Sequence, residues 1–240
     1  MYSTIKQAIL CTALTFCCAL ALNAQDSDIT LDEESKSKMS LGKNNGSFIG
    51  FGFVVGPNEF SGANINYGNS GDFIYGGRRL HKLGIQEFFK LGTSFYYRYS
   101  DYRLEQDSQK TFPTSNLFDK EKIAMHFVGF DAFMSIRFDK KLNKKHGTKL
   151  DLGGYIDWAF NKQHKTIAKI EDPINPPYAK KIVTVNKKLD YIENFHYGLL
   201  ARFTFKQVSI YGNYRINNIF VEKYNFKDVP KFMIGIQFGV

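Results

Sequence analysis

From Ser47 to the end of the chain, apolar and polar residues trade places at nearly every step. That period of two belongs to extended strands, whose successive side chains point to opposite faces. The clearest run is Phe195-His196-Tyr197-Gly198-Leu199, which continues through Ala201, Arg202 and Phe203. No helical periodicity competes with it. Eight stretches read this way: 47–56, 73–80, 86–104, 121–138, 148–165, 188–205, 207–216 and 230–240. In each, one face collects Phe, Tyr, Ile, Leu and Val. The other collects Gly, Ser, Asn and charge, as where Phe130, Ala132, Met134 and Ile136 alternate with Gly129, Asp131, Ser135 and Arg137. The stretch 73–80 is the least regular.

The punctuation agrees. Pro57, Pro113, Pro173, Pro176 and Pro177 fall between stretches, and Pro230 opens one. Proline cannot donate to a ladder, so these are the places a sheet permits it. Long connections (57–72, 105–120, 166–187, 217–229) alternate with short ones (81–85, 139–147, 206–207). One end of the strand array therefore carries large loops and the other tight turns.

A soluble sandwich or a lipocalin-like barrel also alternates its faces. Three features favour a barrel in lipid: the aromatic richness of the apolar face, the length of several stretches, and the even strand count with unequal loops. Hydrocarbon offers no hydrogen bonds, so a sheet can span it only by closing on itself. The expected fold is all-β, an eight-stranded antiparallel up-and-down transmembrane β-barrel over residues 47–240. Tyr99 and Trp158 are candidates for its interfacial girdles.

The N-terminus reads as an address. Lys6 precedes an apolar run, Ala8 to Leu22, and Leu22-Asn23-Ala24 gives a cleavage site after Ala24. Residues 1–24 are thus expected to be a signal peptide, and 25–46 a short polar segment that begins acidic. All three cysteines (Cys11, Cys17, Cys18) lie in the signal, so the processed chain has no disulfide, thiolate ligand or cysteine nucleophile. The net charge of +9 falls by one with Lys6. A basic balance suits nucleic acid or an anionic membrane surface, and export argues against nucleic acid. The closing Gly235-Ile236-Gln237-Phe238-Gly239-Val240 has the spacing of a bacterial barrel-assembly signal, with Val240 where Phe is usual.

Taken together, Leu22-Asn23-Ala24-Gln25, the first strand Phe48-Ile49-Gly50-Phe51-Gly52, the fifth strand from Asp151 to Phe160, and the closing strand resemble the PorT-like outer-membrane β-barrels of the Bacteroidetes group. The resemblance implies outer-membrane residence and, as for some relatives, a part in protein secretion. It carries no catalytic residues.

Eight strands enclose room for side chains or one small ligand. The expected inward charges are Lys90, Arg98, Arg137, Arg202 and Arg215 with Asp131, Asp151 and Asp157. Isolated buried charges are costly, so a plug of ion pairs is expected over an anion pore. Of the histidines (His81, His126, His146, His164, His196), His196 alone reads as inward, with Ser94 and Ser209 as inward hydroxyls and His126 facing lipid. No Ser-His-acid grouping, metal-ligand spacing or phosphate loop appears. No catalytic, metal or cofactor residue is assigned. Loop 166–187, with Pro173, Pro176, Pro177, Tyr178, Lys180 and Lys181, is the place for lipopolysaccharide phosphates or a protein partner. The expected role is structural or interactive at the outer membrane, after insertion by the barrel-assembly machinery. A narrow channel and a lipid-modifying enzyme are the alternatives.

Overall fold

The computed structural model describes residues 45–56, 64–82, 89–138, 147–171 and 179–239. The strands are β1 (Asn45–Val55), β2 (Gly71–Lys82), β3 (Phe89–Leu104), β4 (Lys120–Arg137), β5 (Lys149–Glu171), β6 (Ala179–Asn186), β7 (Phe195–Phe205), β8 (Val208–Arg215) and β9 (Phe232–Phe238). Eight of them close into a ring in which every neighbour is antiparallel. β1 to β5 follow in order, β5 pairs with β7, β7 with β8, β8 with β9, and β9 returns to β1. The expected eight-stranded up-and-down barrel is the observed fold.

β6 stands outside the ring. It pairs only with the far end of β5, from His164↔Asn186 to Glu171↔Ala179. This corrects the reading of 166–187 as a plain loop. Its described residues form a hairpin that prolongs β5, while Pro173, Pro176, Pro177 and Tyr178 lie outside the described residues. The β-branched runs Thr166-Ile167 and Ile182-Val183-Thr184-Val185 favour extended chain. On β6 alternation is illegible because both faces are exposed from Lys181 to Asn186, so neither is selected to be apolar. For the same reason the stretch 188–205 becomes regular only at Phe195.

Short connections and long ones sort to opposite ends, as the spacing requires. The β7–β8 turn is Lys206-Gln207, with Lys206 in the left-handed region at φ 56°. Asn45 pairs with Arg79 and Gly239 bonds Gln207, so the first and last strands both reach the short-turn end.

The two faces of the wall have unlike chemistry, and they exchange it partway along. Over most of the barrel the outer face is apolar and open: Phe95 is 65% exposed, Leu199 56% and Trp158 50%. There the inner face holds Asp72, Arg78, Arg98, Asp131, Asp151, Asp157 and Arg202, all buried. Toward the long-loop end the assignment inverts. On β3 the outer residues become Asp101 and Arg103 while Tyr102 and Leu104 turn in. On β4 the outer residues there are Lys120 and Lys122, with Ile123, Met125 and Phe127 inside.

The exchange on β4 falls where its register with β5 slips, between His126 and Phe127. His126 faces Asn161 and Phe127 faces Ala159, leaving Phe160 as an extra residue on β5. A bulge of this kind shifts the later residues of one strand to the other face. His164 thereby turns inward toward Glu121, which corrects the expectation that His196 is the one inward histidine. His126 stays outside, its Nδ1 2.7 Å from the Tyr97 hydroxyl, with the rings of Tyr99 and Phe160 beside it.

Candidate functional site

The interior divides into a charged lumen and an apolar cap. In the lumen, Arg98 sends Nη1 to Asp157 Oδ2 at 2.6 Å and places Nε 3.5 Å from Asp72 Oδ2. The hydroxyl of Tyr96 donates to Asp157 at 2.8 Å and that of Tyr211 to Asp72 at 2.8 Å. The Arg98 guanidinium also lies over the rings of Tyr96 and Tyr155. Toward the short-turn end, Arg78 meets Asp151 at 3.1 Å, and Arg202 bridges Asp131 and Asp151 at 3.4 Å each. Phe48 and Phe133 present their faces to both of these arginines.

Each charge in this stack answers another, as burial demands. The stack fits because neighbouring wall positions are glycine. A Cβ at Gly52 would collide with Asp72 Oδ1, and one at Gly129 with Asp157 Oδ1 and the Tyr96 ring. The cavity between Arg98, Tyr155, His196 and Arg215 is about 30 Å³, room for about one water.

Beyond this stack the long connections fold over the mouth. Phe112 from the β3–β4 connection packs against Phe220 and Phe226 from the β8–β9 connection, ring centroids 4.4 and 4.7 Å away, and against Tyr191 at 6.0 Å. Ile219 and Val229 join them from the same β8–β9 connection, Ile65 from the β1–β2 connection, and Leu189 and Ile192 from the β6–β7 connection. The strands supply Tyr102, Leu104, Ile123, Met125, Phe127 and Met233 from below. Short bridges, Ile65↔Leu104 and Ile192↔Phe220, tie the connections to β3 and to each other.

Charge pins the cap at two places. Lys110 Nζ is 2.6 Å from Glu121 Oε2, with side chains 2% and 0% exposed. His164 Nε2 lies 2.7 Å from Glu121 Oε1, and Gln106 donates to Glu121 at 2.9 Å. Burial would raise the Glu121 carboxyl, but the bonds from His164, Lys110 and Gln106 outweigh it and hold it below the usual 4.5. Burial, reinforced by the charge of Glu121, pushes the Tyr191 hydroxyl up. At the second place, Asp228 accepts from Arg215 at 3.1 Å and from the Ile219 backbone at 2.9 Å.

Outside the cap, Arg103, Lys120, Lys122 and Lys165, with the carboxylates of Asp119 and Glu121, line a cleft of about 460 Å³ on the outer wall. It sits just past the ring of Tyr97, Tyr99, His126 and Phe160. Lys122 is held by Asp101 and the Tyr99 hydroxyl. Lys120 and Lys165 have no carboxylate partner among the described residues.

Of the expected inward charges, Arg98, Arg202, Arg215, Asp131, Asp151 and Asp157 are buried in the interior. Lys90 and Arg137 are half-buried at the short-turn end. Ser94, Ser209 and His196 point inward but do not meet. Ser94 pairs across the ladder with Asp131. Ser209 shares a 2.8 Å hydrogen bond with Thr204, near one end of β7, and His196 sits near the other, 3.1 Å from the Glu193 carbonyl.

Two lumen charges escaped the sequence reading, Asp72 and Arg78. The parity of 72, 74, 76 and 78 puts them on one face with Ile74 and Gly76, but the Gly76-Gly77 and Arg78-Arg79 repeats blur it. The cap also escaped, although Phe112, Phe220 and Phe226 in connecting segments were a sign that these loops bury something. No protein-family model matches the chain, and no curated protein matches it.

Proposed function

We propose that this protein spans the bacterial outer membrane as a closed barrel that does not conduct, and acts through the surface its long connections build outside the cell. The observation that carries this reading is the exchange of chemistry across the wall. An apolar face girdling every strand is what hydrocarbon requires of its neighbour, and soluble monomers rarely expose contiguous apolar patches beyond a few hundred Å². The exchange at Tyr97, Tyr99, His126 and Phe160 is then the water boundary, where aromatic girdles sit.

The signal-like segment 1–24 and the resemblance to PorT-like barrels support the same location. That resemblance extends the reading to a secretion accessory. The cleft of Arg103, Lys120, Lys122 and Lys165, whose four cations outnumber Asp119 and Glu121, lies at the height of lipopolysaccharide phosphates and suits them. The paired lumen and the apolar cap oppose a channel, because ions would have to break both. No catalytic step is part of the proposal.

The test combines two measurements on purified, detergent-folded protein. Boiled and unboiled samples should migrate differently on a gel, and planar bilayers should show no discrete conductance. A processed chain that stays in water without detergent would overturn the membrane reading. Stable anion-selective steps would replace the interaction role with a channel.

A further inference from the structure

Eight of the nine strands have both edges engaged along most of their length, but β6 ends the sheet. Among the described residues no strand pairs with its outer edge. Its backbone N–H and C=O groups on that side thus meet none of the described strands, along a strand rich in β-branched residues. Ile182, Val183 and Val185 are 42%, 46% and 43% exposed. Native proteins usually blunt such an edge with proline, a bulge or charge, because it templates another strand. Here the core Ile182-Val183-Thr184-Val185 carries no charge, and the charges around it are mostly cations: Lys180 and Lys181 precede it in β6, Lys187 and Lys188 follow it, and Lys165 and Lys169 stand on the paired part of β5, with Glu171 the one acid there. The hairpin lies beyond the ring of Tyr99, His126 and Phe160, so on the reading above it stands in water rather than lipid.

We infer that the outer edge of β6 is a docking site for an extended segment of a protein partner, which adds as a further antiparallel strand. The partner segment carries β-branched residues at its centre and carboxylates on its flanks. Backbone hydrogen bonds supply the pairing, and the lysines select the charge. A second copy of the chain is the poorer occupant. Antiparallel pairing of β6 with itself, centred on Thr184, sets Lys181 opposite Lys187, and like charges facing across a ladder are destabilising. The inference rests on the proposed interaction role of the long-loop end and names the partner's chemistry there.

The full chain in detergent micelles is titrated with a fluorescent peptide, Glu-Glu-Val-Thr-Val-Thr-Glu-Glu. Controls carry Lys in place of Glu, or Pro in place of the central residues. The Glu peptide should bind about tenfold or more tightly than either control. Backbone amide exchange should slow at alternate residues of 181–186. The triple substitution Lys181→Glu, Lys187→Glu and Lys188→Glu, all at exposed positions, should reverse the preference to the Lys peptide.

Equal binding of both charge forms, or protection confined to the cap, overturns the inference. So does a concentration-dependent dimer whose contact maps to β6, which gives the edge to a second copy. A heat-modifiable barrel that ignores the Glu peptide sinks the docking site alone. A chain soluble without detergent sinks the membrane reading, whatever the peptide does.

Discussion

The lumen and the cap sit on the same strands, yet they are built on opposite rules. In the lumen Arg78, Arg98 and Arg202 are locked to Asp72, Asp131, Asp151 and Asp157, while Phe95 and Leu199 face outward. In the cap Phe112, Phe220, Ile123 and Met125 are buried, while Arg103, Lys120 and Lys122 face outward. The cap is an ordinary protein core, driven together by removal of apolar surface from water. The lumen cannot use that force if its outer wall meets hydrocarbon, so it is filled by arginines and aspartates that pair with one another and by tyrosine hydroxyls that donate to Asp72 and Asp157. On the membrane reading one wall serves two solvents, and the bulge at Phe160 lies where β5 passes between them.

The comparison breaks most visibly in the lumen. Asp157→Ala leaves Arg98 with only the more distant Asp72, and breaking a buried pair costs about 3–5 kcal/mol. Urea unfolding in lipid vesicles, followed by the fluorescence of Trp158, the chain's one tryptophan, measures it. A loss under about 1 kcal/mol, the range of an exposed pair, would mean that water reaches Arg98.

In the cap, Phe112→Ala should cost about 3 kcal/mol, the range for truncating a buried Phe. The cost should stay local. Protease cleavage of the long connections should rise while the barrel remains heat-modifiable. Unfolding of the whole barrel would instead make cap and lumen one cooperative unit.

On the outer wall, Leu199→Arg should cost about 2 kcal/mol or more in a bilayer, as for a cation placed near the midplane. Lys122→Leu, past the aromatic ring, should change stability far less. Equal effects would erase the proposed water boundary.

The smallest effect is one of pH. Glu121 has its proton affinity lowered by folding, so its stabilising contribution is complete above about pH 4.5 and is lost as acid carries the pH through the lower folded value. Cap opening, read as protease sensitivity of the long connections, should therefore set in below pH 4.5. Glu121→Gln should flatten that onset.

How legible these features were depended on what each residue faced. Along Phe195–Phe205 every odd residue meets the outside and every even one the lumen, so period two was plain. Along Gly71–Lys82 the inward set mixes Asp72, Ile74, Gly76 and Arg78, and the lumen accepts all four because their partners sit on other strands. Asp72 finds Tyr211 from far along the chain, a contact no local pattern encodes. Lys110 and Glu121 likewise meet only in the fold, which brings His164 alongside them.

The sequence by itself determined the strand count of the ring, the antiparallel order, the sorting of loops to one end and turns to the other, and a charged inner face. Those follow from alternation and spacing, which are properties of neighbouring residues. Only the tertiary structure decided which charges pair, that the loops bury an apolar core, that β5 turns its faces over at a bulge, and that 179–186 is a strand whose outer edge pairs with no described strand. Each of these depends on residues distant in the chain meeting at one depth of a closed cylinder, and closure is what sets that depth.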